Sequence, residues 1–211
     1  MIKAFLFDWG GVMSAGGKGG ELDDRLSINL NISLARAREL VGLVWDDFRR
    51  GKISEPVFWE TVEKQYGLKI PQDKRGIWNK WEDTRLIPAM ADLVNRLKNE
   101  GYRVGLLSDT VPFSANEIRS HGGYDLFDFT VLSYQTGFAK PDPEIYDIAL
   151  KQLKGIKADE VVFLDDQERN LTTARQLGIK TILVKNFSQA ISDVEGLLKV
   201  SVAGEEIPNL T

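Results

Sequence analysis

Val161-Val162-Phe163-Leu164-Asp165-Asp166 is a run of four apolar residues that ends abruptly in two carboxylates. A continuous apolar run, as opposed to an alternating one, is the pattern of a strand covered on both faces in a parallel sheet. The two carboxylates then mark the strand's carboxyl end, where open α/β sheets place their ligands. Outward from this stretch the same form recurs. Ala4–Phe7 is followed by Asp8, and Arg103–Leu107 by Ser108-Asp109; Phe129–Leu132 and Thr181–Val184 are further runs of the same kind. Amphipathic helices lie between them. Met90, Leu93, Val94 and Leu97 follow i, i+3, i+4, i+7 spacing ahead of a capping Gly101. Glu144–Leu153 carries Ile145, Ile148, Ala149 and Leu153 on one face, and Leu171, Ala174 and Leu177 precede Gly178. This alternation predicts an α/β fold built on a doubly wound parallel sheet.

The interval between the first two strands is too long for a single crossover, which needs about a dozen residues. From about Glu21 to Arg85 the pattern is helical. Leu40, Val41, Val44, Trp45 and Phe48 form one stripe, and Ser54 is placed to cap a second helix bearing Phe58, Val62 and Tyr66. The expected organisation is an α/β core over 1–17 and 86–211, with a helical cap subdomain over 18–85. Trp45, Trp59, Trp78 and Trp81 fall in this insertion and are expected mostly in its core. Gly16-Gly17-Lys18-Gly19-Gly20 lacks the ending of a phosphate-binding P-loop and the spacing of a dinucleotide fingerprint, so a hinge is the expected role. The stretch after Leu198 carries no clear pattern and reads as a peripheral strand or irregular chain.

Composition narrows the chemistry. The 211 residues include no cysteine and one histidine, His121. Disulfides, thiolate metal sites and multi-histidine sites are thereby excluded, and a Ser-His-Asp hydrolase is disfavoured. Any metal must be held by oxygen, which favours a hard cation such as Mg²⁺. A formal charge of −4 disfavours nucleic-acid and anionic-membrane partners. No apolar run is long enough to span a membrane, and Lys3 followed at once by a strand does not resemble a signal peptide. The cytoplasm is the expected compartment. The sequence does not specify an oligomeric state.

Asp8, Ser108-Asp109, Lys140 and Asp165-Asp166 all follow strand ends, Lys140 through a loop over Ser133–Ala139. Each like-charged pair among Asp8, Asp165 and Asp166 costs on the order of 4 kcal/mol at 4 Å and an effective dielectric of about 20. A divalent cation and the Lys140 ammonium would balance the three and attract a phosphate. Pro141 biases Lys140 to an extended backbone, and Asp142-Pro143 is a good N-cap and N1 pair for the following helix. Ser108 can donate to a phosphate oxygen.

Together the segments Phe7-Asp8-Trp9-Gly10-Gly11-Val12, Leu107-Ser108-Asp109-Thr110, Gly137–Tyr146 around Lys140, and Val161–Asp166 continuing through Asn170 to Gly178 resemble the haloacid dehalogenase superfamily. The last two are most similar to the sugar-phosphate phosphatases that act on glucose 1-phosphate and to the N-terminal phosphatase domain of soluble epoxide hydrolases. The resemblance implies a Mg²⁺-dependent phosphoric monoester hydrolase acting on a small phosphorylated metabolite such as a sugar phosphate. It implies that Asp8 attacks phosphorus and is transiently phosphorylated, with Ser108 and Lys140 as its catalytic companions. Ser108, Asp109 and Lys140 would contact the substrate. Asp8, the Gly10 carbonyl, Asp165 and Asp166 would hold Mg²⁺, and Asn170 would orient the acidic loop from behind. The insertion corresponds to the family's cap, which closes over the site and selects the leaving group. One residue departs from the pattern: Gly10 stands where most phosphatases of the superfamily carry an acid–base Asp. A positioned acid is worth about 10²–10⁴-fold in rate. Two alternatives follow from that departure, a dehalogenase using the same Asp nucleophile and a phospho-ligand binder with a weakened site.

Overall fold

The computed structural model describes residues 1–16, 21–67, 69–71 and 85–203. Five parallel strands form one sheet: β1 (Ala4–Phe7), β2 (Arg103–Ser108), β3 (Phe129–Leu132), β4 (Val161–Asp165) and β5 (Lys180–Leu183). Their order is β3-β2-β1-β4-β5. The chain therefore winds outward from β1 to β3 and returns to β1's other side at β4. Strand order reverses between β1 and β4, the place where open α/β sheets form a crevice.

Each strand is covered on both faces, and alternate residues go to opposite sides. Phe5, Phe7, Val104, Leu106, Val162 and Leu164 belong to one core. That core is closed by α4 (Pro88–Asn99), α5 (Pro112–Ser120) and α9 (Phe187–Ala203), which bring in Leu93, Ile118 and Val194 among others. Ala4, Leu6, Leu107, Val161 and Phe163 face the other side, against α7 (Pro143–Gln152) and α8 (Glu168–Gln176). Burying each such Leu, Val or Phe contributes roughly 1.5–3 kcal/mol, an upper figure for a compact unfolded chain. In α4 the buried residues are Met90, Leu93, Val94 and Leu97, the stripe that its spacing predicts. Gly101, just past its end, is left-handed at φ +89°.

Between β1 and β2 lie α1 (Glu21–Leu30), α2 (Leu34–Arg49) and α3 (Glu55–Tyr66). Leu26, Leu40, Val44, Phe48, Phe58, Trp59 and Val62 bury one another in a third cluster, joined by Val111 from the start of α5. The Phe48 and Phe58 rings lie 5.0 Å apart, and Trp59 meets Phe58 edge-on at 5.2 Å. Ser33 caps α2 through a bond from the Arg36 N–H to its hydroxyl at 3.2 Å. Ser54 occupies the cap position of α3 without a side-chain cap bond. Trp59 is buried and Trp45 half-buried. Trp78, Trp81 and the proposed hinge residues 17–20 lie outside the described residues.

The structure differs from the sequence reading at several ends. The segment from Ser133 to Ala139 is not all loop: Ser133–Thr136 form one helical turn, α6, closed by Gly137 at φ +81°. β2 and β4 each run one residue further, taking in Ser108 and Asp165, while β5 begins and ends one residue earlier than expected. The described residues beyond Leu198 continue α9 as far as Ala203, where the sequence reading expects a strand or irregular chain; residues 204–211 lie outside the described residues. Among the described residues no helix is long and apolar enough to cross a membrane.

Candidate active site

β1 delivers Asp8 into the crevice between β1 and β4, its N–H still bonded to the Leu164 carbonyl at 2.9 Å. The chain then turns sharply. The Trp9 carbonyl accepts the N–H groups of Met13 and Ser14 at 2.8 and 2.9 Å. The Trp9 N–H donates to Asp8 Oδ1 at 2.7 Å and helps fix that carboxylate. The left-handed residue of this turn is Gly11, at φ +72°. A Cβ there would lie 2.7 Å from Asp166 Cγ, so the missing side chain is what lets the Asp166 carboxylate approach the β1 turn.

β4 delivers Asp165 and Asp166 beside Asp8. One carboxylate oxygen from each of the three lies within 4.8 Å of the others. Asp165 is fully buried and heavily bonded. Its Oδ1 accepts the Gln167 N–H at 2.8 Å, and Asn170 Nδ2 reaches both of its oxygens at 3.0 Å. Asn170 is itself anchored through its carbonyl, which accepts the Tyr146 hydroxyl at 2.8 Å.

Lys140 closes the group. Its Nζ stands 2.8 Å from Asp8 Oδ1 and 2.8 Å from Asp165 Oδ2, with the side chain 1% exposed. Burial opposes its charge, but Asp165, Asp8 and Asp109 outweigh burial and hold the ammonium well above the ordinary lysine range. Burial pushes the Asp8 carboxyl up from the usual carboxylate range, and Asp165 adds to the push, while Lys140 pulls the other way. With all three carboxylates ionised, the one ammonium leaves two negative charges in excess, which one divalent cation would balance. The donors are all hard oxygens and Gly11 leaves room for the Asp166 carboxylate, so the residues fit such a cation.

The other expected site residues fall nearby, in varied roles. Ser108 is buried at the end of β2, in register with Leu132 of β3. Gly10 sits in the β1 turn, bridged to Ser14. Asp109, expected at the substrate, has both carboxylate oxygens engaged by protein groups. Its Oδ1 accepts the Lys140 N–H at 2.9 Å, and its Oδ2 pairs with Arg49 Nη1 at 2.6 Å. Burial raises its pKa while Lys140 and Arg49 lower it, burial prevailing. Asp142 stands at the N-cap of α7 but does not cap it with its side chain. That carboxylate instead pairs with Arg50 and accepts the Ala139 N–H at 3.2 Å. Arg49 and Arg50 belong to no motif in the sequence. Two adjacent arginines at a helix end carry no local signal of partners that lie about sixty or ninety residues away.

Against known proteins, residues 2–178 match the family profile of the haloacid dehalogenase-like hydrolases. A bifunctional epoxide hydrolase 2 of Mus musculus is 45% identical over 82 residues, which cover 39% of this chain and only 14% of that protein. A D-ribitol-5-phosphate phosphatase of Bacteroides thetaiotaomicron is 28% identical across 88% of this chain and 93% of its own. Among solved structures, a family enzyme of the same bacterium in complex with magnesium and inorganic phosphate superposes with a TM-score of 0.68. It is 27% identical and covers 86% of this chain and 93% of that one.

Proposed function

Because the chain belongs to the haloacid dehalogenase-like hydrolases, we propose that it is a phosphatase that hydrolyses a small phosphate monoester, specifically a phosphorylated sugar, with Asp8 as the nucleophile. The observation that carries this reading is the Lys140 ammonium held between Asp8 and Asp165 beside a third carboxylate. A dehalogenase with the same nucleophile has no use for that excess of negative charge, whereas a metal-assisted phosphatase needs it. The match to a D-ribitol-5-phosphate phosphatase over 88% of this chain supports the substrate class.

In this mechanism Asp8 Oδ1 is oriented by the Trp9 N–H and the Lys140 ammonium, and the other carboxylate oxygen is the attacking atom. Attack on phosphorus breaks the ester P–O bond and gives a phosphorylated Asp8 and an alkoxide, which takes its proton from water; water then cleaves the acyl phosphate, releasing inorganic phosphate and restoring the carboxylate. Lys140 and the Ser108 hydroxyl bind the phosphoryl oxygens, the ammonium balancing their negative charge and the hydroxyl donating a hydrogen bond. Asp165, locked by Asn170 and Gln167, keeps the Lys140 ammonium in place. Asp8, Asp166 and the Gly10 carbonyl, with Asp165 beside them, are the groups that would hold Mg²⁺. Bound there, Mg²⁺ supplies charge neutralisation for the phosphate that approaches Asp8. The inserted helices α1–α3 act as a cap that shields the site. Gly10 offers no proton, so the leaving oxygen departs without help from that position.

The test is release of inorganic phosphate from a panel of sugar, aryl and acyl phosphates, with Mg²⁺ or with EDTA, beside halide release from chloroacetates. Phosphate release that EDTA abolishes supports the reading. Halide release, or no turnover of any ester, overturns it.

A further inference from the structure

Both main-chain polar atoms of Lys140 are bracketed by one ion pair. Asp109 Oδ1 accepts its N–H at 2.9 Å, and Arg49 Nη1, 2.6 Å from Asp109 Oδ2, also lies 3.4 Å from the Lys140 carbonyl. Arg49 is the last residue of α2 and so belongs to the inserted helices, not to the sheet domain.

That corner of the insertion is fitted to the sheet domain at several points. The Ser133 hydroxyl accepts the Thr110 N–H at 2.9 Å and donates to the Arg49 carbonyl at 2.6 Å. Gly51, at φ +67°, leaves no space for a side chain: a Cβ there would lie 3.0 Å from the Tyr134 carbonyl carbon. Arg50 pairs with Asp142, on the turn that follows Lys140, and Asp46 holds both arginines from within α2. The Arg49 and Arg50 side chains are only 16% and 14% exposed.

We propose that Arg49 is a positioning residue that acts through Asp109: docking of the α2 end sets the main chain of Lys140 and so makes the phosphate-binding lysine conditional on a closed insertion. The proposal rests on the reading of Lys140 given above. Asp109 alone would place a further carboxylate beside a site that must accept an anion. Arg49 cancels that charge and, through the same nitrogen, reaches the Lys140 carbonyl. Undocking α2 therefore removes two supports together. It frees the Lys140 backbone and exposes the Asp109 charge to the incoming phosphate.

Four variants test this: Arg49→Gln, Arg49→Lys, Asp109→Asn and the Arg49→Gln/Asp109→Asn double. The readouts are amide exchange at Lys140, which needs no activity, and inhibition of p-nitrophenyl phosphate hydrolysis by inorganic phosphate. Thermal melts first confirm that each variant is folded. Arg49→Gln should speed Lys140 exchange and raise the phosphate inhibition constant by about tenfold each, within the range of coupled contacting pairs. In the Asp109→Asn background, where the charge is gone and the amide oxygen still accepts the N–H, adding Arg49→Gln should change either readout by less than about twofold. Arg49→Lys, which keeps the charge but not the fork, should recover part of both losses. An Arg49→Gln effect of equal size in both backgrounds would mean direct contact with the ligand and would overturn the proposal. Unchanged exchange at Lys140 would overturn it too. Should the parent hydrolyse no ester while exchange responds as described, the phosphatase reading falls and the positioning role stands.

Discussion

Gly11→Ala should strike the metal site harder than it strikes the fold. An L-residue in left-handed backbone costs about 1–2 kcal/mol. For a chain of this size that lowers the melting temperature by roughly 2–8 °C. Gly101→Ala carries the same penalty at φ +89° with nothing within 4 Å of the new Cβ, so it isolates the backbone term. At Gly11 the Cβ would lie 2.7 Å from Asp166 Cγ, where ordinary carbon contacts need about 3.5–4.0 Å, and the carboxylate must retreat by about 1 Å. Disturbing even an outer-shell partner of a metal ligand costs about 10–100-fold in affinity, and moving the Asp166 carboxylate itself should cost at least as much. Mg²⁺ at a hundred times the parent's Kd stabilises the parent by about 2.7 kcal/mol; a tenfold loss of affinity leaves about 1.4 kcal/mol of that and a hundredfold loss about 0.4 kcal/mol. The assay is thermal unfolding of parent, Gly11→Ala and Gly101→Ala across a Mg²⁺ titration. The two variants should lose similar stability without metal, apart from clash at Gly11, and only Gly11→Ala should lose the Mg²⁺ response. An undiminished response in Gly11→Ala, or an equal loss in Gly101→Ala, would refute the steric argument.

Gly10→Asp should restore proton donation to the leaving oxygen. In the parent, aryl and anomeric sugar phosphates should outrun simple alkyl phosphates, and the substitution should rescue the alkyl esters by about 10²-fold or more; a flat leaving-group series in the parent would show that another residue already supplies the proton. Asn170→Ala should loosen Asp165, to which it gives two bonds at 3.0 Å, and lower kcat/KM by roughly 10–100-fold without unfolding the chain, as checked by steady-state kinetics beside a melt. Trp59→Ala, at a fully buried position against Phe58, should destabilise the inserted helices by about 3–5 kcal/mol in urea unfolding. The Arg50 bond holds Asp142 below its usual pKa of 3.8, so the stability it contributes is present above that pH and lost as pH falls through the folded value. Asp142→Asn should therefore flatten the acid limb of the stability curve below about pH 4 and leave the neutral region's slope unchanged, read by melts across pH.

The sheet was legible because parallel strands buried on both faces need continuous apolar runs, and Val161–Leu164 and Ala4–Phe7 supply them. Their carboxyl ends were legible for the same reason, since a carboxylate after such a run marks where apolar packing gives way to polar partners, even though Asp8 and Asp165 are themselves buried. The strand ends themselves shifted because ladder pairing does not require an apolar side chain. Ser108 pairs with Leu132 and Asp165 with Leu183, polar though they are. A four-residue helix such as Ser133–Thr136 is too short to show a period. Asp142 obeyed the local rule for an N-cap position, yet its carboxylate went to Arg50, a stronger partner supplied from far along the chain. The Arg49–Asp109 pair was invisible for that reason also: the sequence fixes what each residue can bond, and only the packing of α2 on the sheet domain decides which two meet.

In the proposed reaction Asp8 itself carries the phosphoryl group. An aryl phosphate turned over with Mg²⁺ and quenched in acid should leave a peptide containing Asp8 heavier by one phosphoryl group, with fragmentation placing the group on Asp8. Asp8→Asn, folded by its melt, should show neither the adduct nor phosphate release. Phosphate release by the parent with no adduct at any time point in pre-steady-state sampling, or undiminished turnover by Asp8→Asn, would rule Asp8 out as the nucleophile.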